Sequence, residues 1–173
     1  RVLFRSLLDK LIKNPDISLG QLTRITKNFQ GPDFPSGGEM ISTPEDLKQI
    51  YNTGNGTIKI RAKYKKEKNQ IVIMQLPYQV SGNKIIEQIA SQMKDKKLPL
   101  ITDINDESDH ETPIRIVLTP KSNRVNTDEL MGHLFATTDL EKNVRVNMNL
   151  IGLDGKPRVF NLKALLSEWI RFR

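Results

Sequence analysis

The 173-residue chain contains no cysteine. Disulfides, thiolate nucleophiles and cysteine-based zinc sites are therefore excluded, and the composition suits a reducing compartment such as the cytoplasm. Histidine is almost as scarce. His110 and His133 are the only two, and they fall on different elements, so each reads as a surface or packing residue. Aromatic residues make up 6%, which leaves little material for a ligand site built from stacked rings. No apolar run nears the roughly 20 residues needed to cross a bilayer. Asp9 and Lys10 interrupt any signal-like stretch in RVLFRSLLDKLIK. TGNG and SGG have no G-K-[ST] after them, so they read as turns and not as phosphate loops. No nucleophile, base and orienting group stand at a telling spacing. The chain starts without Met and stops within a helical pattern, so the expectation is a piece of a longer protein.

What the chain does have is positive charge, a formal +7 with a pI of about 9.6. That balance favours an anionic partner such as nucleic acid or a membrane surface. The charge is concentrated in GTIKIRAKYKKEKNQIVIMQLPYQV, where residues 59–68 hold six cations and one glutamate. Alternate residues of a strand share a face and lie roughly 6.6–6.8 Å apart. A single strand over 57–66 would put Lys59, Arg61, Lys63 and Lys65 on one face and Ile58, Ile60, Ala62 and Tyr64 on the core face. Such a row can follow a phosphate backbone and release counterions. It can equally be a lysine-protected edge strand that resists aggregation. Both readings stay open from the pattern alone. The run Ile71, Val72, Ile73, Met74 and Leu76 is plain core.

Two other constellations carry chemistry in principle. Asp103, Asp106, Glu107, Asp109 and Glu111 crowd one segment, but a calcium loop of the EF-hand kind needs a glycine that is missing, so an acidic solvated loop or edge is expected and no metal. Ser81, Gly82 and Asn83 open a helix whose amides can hold a phosphate, although Ser81 also reads as an ordinary N-cap.

The remaining pattern predicts helices over 6–13, over 18–27 with a Ser18–Gln21 capping box, and over 44–53 with Thr43 as N-cap and Pro44 at the first helical position. Further helices are expected from Ser81 to about Lys94, from Asn126 or Thr127 to Thr137, and after Asn161. GPDFPSGG, residues 31–38, is a linking loop. Strands 57–66 and 70–76 form a hairpin around KEKN, 114–120 is a third strand, and 143–153 alternates Val144, Val146, Met148 and Leu150 against Asn143, Arg145, Asn147 and Asn149 before a turn at Asp154-Gly155. The fold class is α+β, an antiparallel sheet with helices packed on one face.

GPDFPSGG, the basic strand after YNTGNG, IVIMQLPYQV, KKLPLITDINDESDHE, HLFATTDLEKNVRVNMNLIGLDGKP and LLSEWIRFR stand in an order and spacing that resembles the A subunit of bacterial type IIA DNA topoisomerases. They cover residues 31–173; residues 6–30 fit less distinctively and residues 1–5 match nothing in that pattern. PYQVSGNKIIEQIASQM, ESDHETP and LFATTDLEKN resemble the topoisomerase IV branch more than the gyrase branch. The resemblance implies N-terminal helices over 1–30, an α+β tower domain over 31–160, and over 161–173 the start of a helix leading towards a coiled coil. It implies a bacterial, cytoplasmic, nucleoid-associated enzyme that passes one DNA duplex through another at the expense of ATP. Its partners would be double-stranded DNA, a B subunit that supplies ATP binding and Mg2+, and a second copy of the A subunit in an A2B2 assembly. The tyrosine that attacks DNA in that family follows an arginine, whereas Tyr51, Tyr64 and Tyr78 here follow Ile50, Lys63 and Pro77. No catalytic residue is therefore expected in this chain. Under the resemblance Arg61 leads the candidate DNA-backbone contacts, since a guanidinium binds phosphate bidentately, followed by Lys59, Lys63 and Lys65. A nucleic-acid-binding scaffold without catalysis is the alternative of a different class.

Overall fold

The structure is a computed structural model that describes residues 2–24 and 31–173. The expected helix end at residues 25–27 lies outside the described residues. In chain order the elements are α1 (Val2–Lys13), α2 (Leu19–Arg24), β1 (Glu39–Met40), α3 (Pro44–Thr53), β2 (Asn55–Arg61), β3 (Lys63–Glu67), β4 (Gln70–Gln75), α4 (Gly82–Lys94), β5 (Ile101–Asp106), β6 (Ile116–Pro120), α5 (Thr127–Thr137), β7 (Glu141–Asn147), β8 (Asn149–Ile151), β9 (Pro157–Val159) and α6 (Leu162–Phe172). The chain is α+β with antiparallel sheets.

The chain divides into two compact units that are interleaved in sequence. One comprises residues 1–32, 42–58 and 144–173, the other residues 33–41 and 59–143. The physical reason is visible in the cores: Leu7, Leu8, Leu11, Ile17, Leu22 and Tyr51 bury their side chains with Leu162 and Leu166, so the two ends of the chain close one core together.

In that first unit, side chains cap the helix starts as the sequence predicts. Ser18 and Gln21 exchange hydrogen bonds ahead of α2. Thr43 and Asp46 form a full capping box on α3, with Pro44 at its start. The α3 helix ends on Gly54 in the left-handed region, φ +75°, where its N–H donates to the Ile50 carbonyl. A Cβ at Gly54 would collide with the Phe160 carbonyl oxygen, so glycine is required twice over. The β8–β9 hairpin turns through Asp154-Gly155 and is held to α6 by an Arg158–Glu168 ion pair and by the Leu153 N–H donating to Glu168 at 3.0 Å.

The second unit is built on a four-stranded sheet in the order β3-β4-β6-β5. Ile71 and Ile73 of β4 and Ile116 and Leu118 of β6 face Ile85 and Ile89 of α4 and Leu130, Met131 and Leu134 of α5, so both helices cover one face. By alternation Val72 and Val117 point to the opposite face, and they are also fully buried. Lys65 stands opposite Val72 in the ladder, and Val72 opposite Val117. The aliphatic stems of the long cationic side chains on that face can shield the two valines.

Residues 57–66 are not one strand. β2 ends at Arg61, β3 begins at Lys63, and the two belong to different sheets. The switch is made at Ala62, which is 2% exposed and donates its N–H to the Leu140 carbonyl at 2.7 Å. Ile58, Ile60, Ala62 and Tyr64 keep an unbroken alternation through the switch, so the pattern carries no mark of it. The strand expected over 143–153 is likewise divided, into β7 and β8, at Met148.

Candidate nucleic-acid interface

The cations singled out in the sequence all lie in the second unit, on two strands. On β2, Ile58 and Ile60 are buried, which turns Lys59 and Arg61 to the other side. On β3, Tyr64 packs against the core and Lys63 and Lys65 are exposed. The expected single row is thus two pairs, each with its own electrostatic surroundings.

The β2 pair shares a carboxylate. Arg61 donates from Nε at 2.9 Å and from Nη2 at 2.6 Å to Oε2 of Glu141, and Lys59 Nζ lies 3.4 Å from Oε1. The Arg61 guanidinium also lies 4.4 Å from the centroid of the Phe135 ring, a cation–π distance. Burial pushes the Glu141 carboxyl up, but its bonds to Arg61 and Lys59 outweigh that and leave it below its ordinary range. Arg61, Tyr64, Asp128, Phe135 and Glu141 line a shallow hollow of about 420 Å³.

The β3 pair sits beside a second network. Lys65 Nζ is 2.5 Å from Glu67, and Arg115 reaches Glu67 at 2.8 Å and Glu107 at 3.0 Å. The bonds from Arg115 first, then Lys65, lower the Glu67 carboxyl to about 2. The same carboxylates raise Arg115 above its ordinary value. Among the described residues Lys63, Lys66 and Lys68 form no ion pair and are exposed.

Charge is distributed differently from the sequence expectation. The second unit holds 14 Lys and Arg against 14 Asp and Glu, so it is electroneutral. The formal +7 of the chain resides in the first unit, with 13 cations against 6 carboxylates. Within the second unit the charge is polarised. β3, rich in lysine, is one edge of the four-stranded sheet, and β5, leading into the acidic segment, is the other. Three inter-strand spacings separate them, roughly 14 Å.

Other candidates are used locally. Ser81 accepts the Lys84 N–H at 3.3 Å as the N-cap of α4, and Lys84 Nζ pairs with Asp139 at 2.5 Å. Gly82 and Asn83 form the first turn of that helix. In the acidic segment Asp109 accepts from the Glu111 and Thr112 backbone and the Thr112 hydroxyl, while Glu107 is held by Arg115. His133 lies 3.3 Å from the Gln92 side chain, and His110 is highly exposed. The tyrosines are packing residues. Tyr51 is 6% exposed and burial pushes its hydroxyl up to about 12. Burial and then Asp128 raise Tyr64, and Tyr78 packs against Phe34.

Sequence reasoning did not find Glu141, Phe135 or Arg115. Glu141 is 80 positions from Arg61, and nothing in the periodicity of either strand pairs them. The pairing of β2 with β7 in one sheet and the hydrogen bond from the Ala62 N–H to the Leu140 carbonyl bring the two segments together.

The chain matches the family of DNA gyrase and topoisomerase IV A subunits over residues 6–173. It is 54% identical over 164 residues to the DNA topoisomerase 4 A subunit of Pseudomonas aeruginosa, 53% over 163 residues to that of Escherichia coli K12, and 56% over 163 residues to that of Haemophilus influenzae. These alignments cover 94–95% of this chain and 21% of each relative, so the chain spans about a fifth of the length of the curated relatives it matches. With a family match across all but the first five residues, the chain belongs to the DNA gyrase and topoisomerase IV A-subunit family.

Proposed function

We propose that this chain is the DNA-supporting tower region of a topoisomerase IV A subunit, and that it holds duplex DNA by its phosphate backbone. The observation that carries this reading is the cluster of cations at the β2–β3 junction, exposed Lys59, Lys63 and Lys65 with half-buried Arg61, within a family whose named members act on DNA. Backbone contacts position a duplex without reading its sequence, so the surface suits an enzyme that must accept many sequences. In the whole protein the reaction would be ATP-dependent passage of one duplex through another, with a B subunit contributing ATP and Mg2+ and a second copy of the A subunit completing an A2B2 enzyme. The chain's own part in that reaction is to support DNA, not to cut it. The surroundings of the three tyrosines support this reading: Tyr51 is buried with its pKa raised, Tyr64 donates a 3.4 Å hydrogen bond to Asp128, and Tyr78 packs against Phe34.

The test is fluorescence anisotropy with several unrelated duplexes of about 30 base pairs across a salt series. Equal affinities and a log–log salt slope of roughly −2.7, the value for three phosphate contacts, are expected. Strong preference for one sequence, or binding indifferent to salt, would overturn the reading. Incubation with DNA, Mg2+ and a B subunit is expected to trap no covalent adduct on this chain.

A further inference from the structure

Glu141 opens β7 with its carboxylate between two of the four candidate cations. It takes the Nε and Nη2 donors of Arg61 at 2.9 and 2.6 Å and lies 3.4 Å from Lys59 Nζ. Phe135 covers one face of the same guanidinium at 4.4 Å. Only the outer donors of Arg61 remain for another ligand. The side chains of Lys59 and Arg61 are 49% and 38% exposed, whereas that of Glu141 is 18% exposed, so the cations reach solvent while the carboxylate is held behind them. An approaching polyanion feels it strongly, because the trio carries a net single positive charge instead of two, and a phosphate on Arg61 would sit close to a fixed like charge.

We propose that Glu141 sets the affinity of this face for a phosphate backbone by competing for Lys59 and Arg61. It is a positioning residue that keeps DNA loosely held, as suits a support surface that a duplex must enter and leave. The proposal rests on the backbone-binding reading above.

The experiment uses the 173-residue chain, a duplex of about 30 base pairs and anisotropy over a salt series. Glu141→Gln keeps the shape of the side chain and removes its charge. At low salt it is expected to bind at least about threefold tighter than the wild type, with a slope steeper by roughly 0.9 for each contact recovered. The gain should vanish when Glu141→Gln is placed in a Lys59→Ala, Arg61→Ala background. Binding equal to or weaker than the wild type, with the fold intact by circular dichroism, would overturn the proposal. A gain that persists without Lys59 and Arg61 would overturn it too, since the carboxylate would then act by general repulsion. A variant that does not fold would show Glu141 to be a stability residue and would also count against it. Replacing all four cations separates the two levels: if that variant binds like the wild type, the backbone reading itself fails, whereas if it loses binding and Glu141→Gln changes nothing, only this inference fails.

Discussion

Gly54 shows how much a single residue decides in the first unit. It ends α3 in a left-handed conformation, and its α-carbon faces the Phe160 carbonyl at a distance that admits no side chain. Gly54→Ala therefore combines backbone strain with a steric conflict against main chain, which cannot swing away. We expect a loss of about 2 kcal/mol or more, read as a lower urea midpoint at unchanged m-value. An unaltered midpoint would mean that the α3 end rearranges freely. This glycine was legible in the sequence as a turn, because TGNG follows a well-capped helix. Its conflict with Phe160 was not, since the two stand far apart in the chain and no local signal links them. The caps at Ser18, Thr43, Ser81, Asn126 and Asn161 were legible for the opposite reason. Each is settled by atoms close by in the sequence.

Elements show the same division between local and distant causes. The helices were readable because their apolar spacing and caps are local properties, and Ile71, Val72 and Ile73 of β4 and the row of β6 were readable because unbroken runs of β-branched residues have few other uses. Met74, expected as core in the same run, is instead 38% exposed, because alternation at the end of the strand points it away from the packed helices. The β2–β3 break was not readable, because alternation passes through Ala62 without a change of phase while the partner strands change. The electrostatics of β3 depend on that distant context as well. Glu67 is bound by Arg115, which stands next to β6, and by Lys65 on its own strand. Its folded-state carboxyl is lowered to about 2, below the roughly 4.3 of an unfolded glutamate. A depressed folded pKa contributes stability that is present above the unfolded value and is lost as pH falls through the folded one. Glu67→Gln is thus expected to lower stability at pH 7 and to flatten the decline between about pH 5 and pH 2. Urea midpoints measured across that window check it. An equally steep decline in the variant would assign the acid sensitivity to other carboxylates, such as Glu141 or Asp139.

At the scale of the whole molecule, the distribution of charge poses the sharpest question. The sequence places a net +5 in residues 59–68, yet the unit that contains them is electroneutral, and the first unit carries the +7. Net charge alone would assign polyanion binding to the first unit. Local density favours the β2–β3 junction, where cations lie two residues apart. At physiological salt the Debye length is about 8 Å, so the carboxylates that weigh on a phosphate contact here are the near ones, Glu141 beside Lys59 and Arg61 and Glu67 beside Lys65, more than those on β5, roughly 14 Å across the sheet. Close charges of both signs then matter more than the sum over a unit. The direct measurement is the salt dependence of duplex binding by a variant with Lys59, Arg61, Lys63 and Lys65 all changed to alanine, compared with the wild type. The account predicts that the slope collapses from roughly −2.7 towards zero, with the circular dichroism spectrum unchanged. An unchanged slope in a folded variant would contradict it and place DNA binding on other cations of the chain.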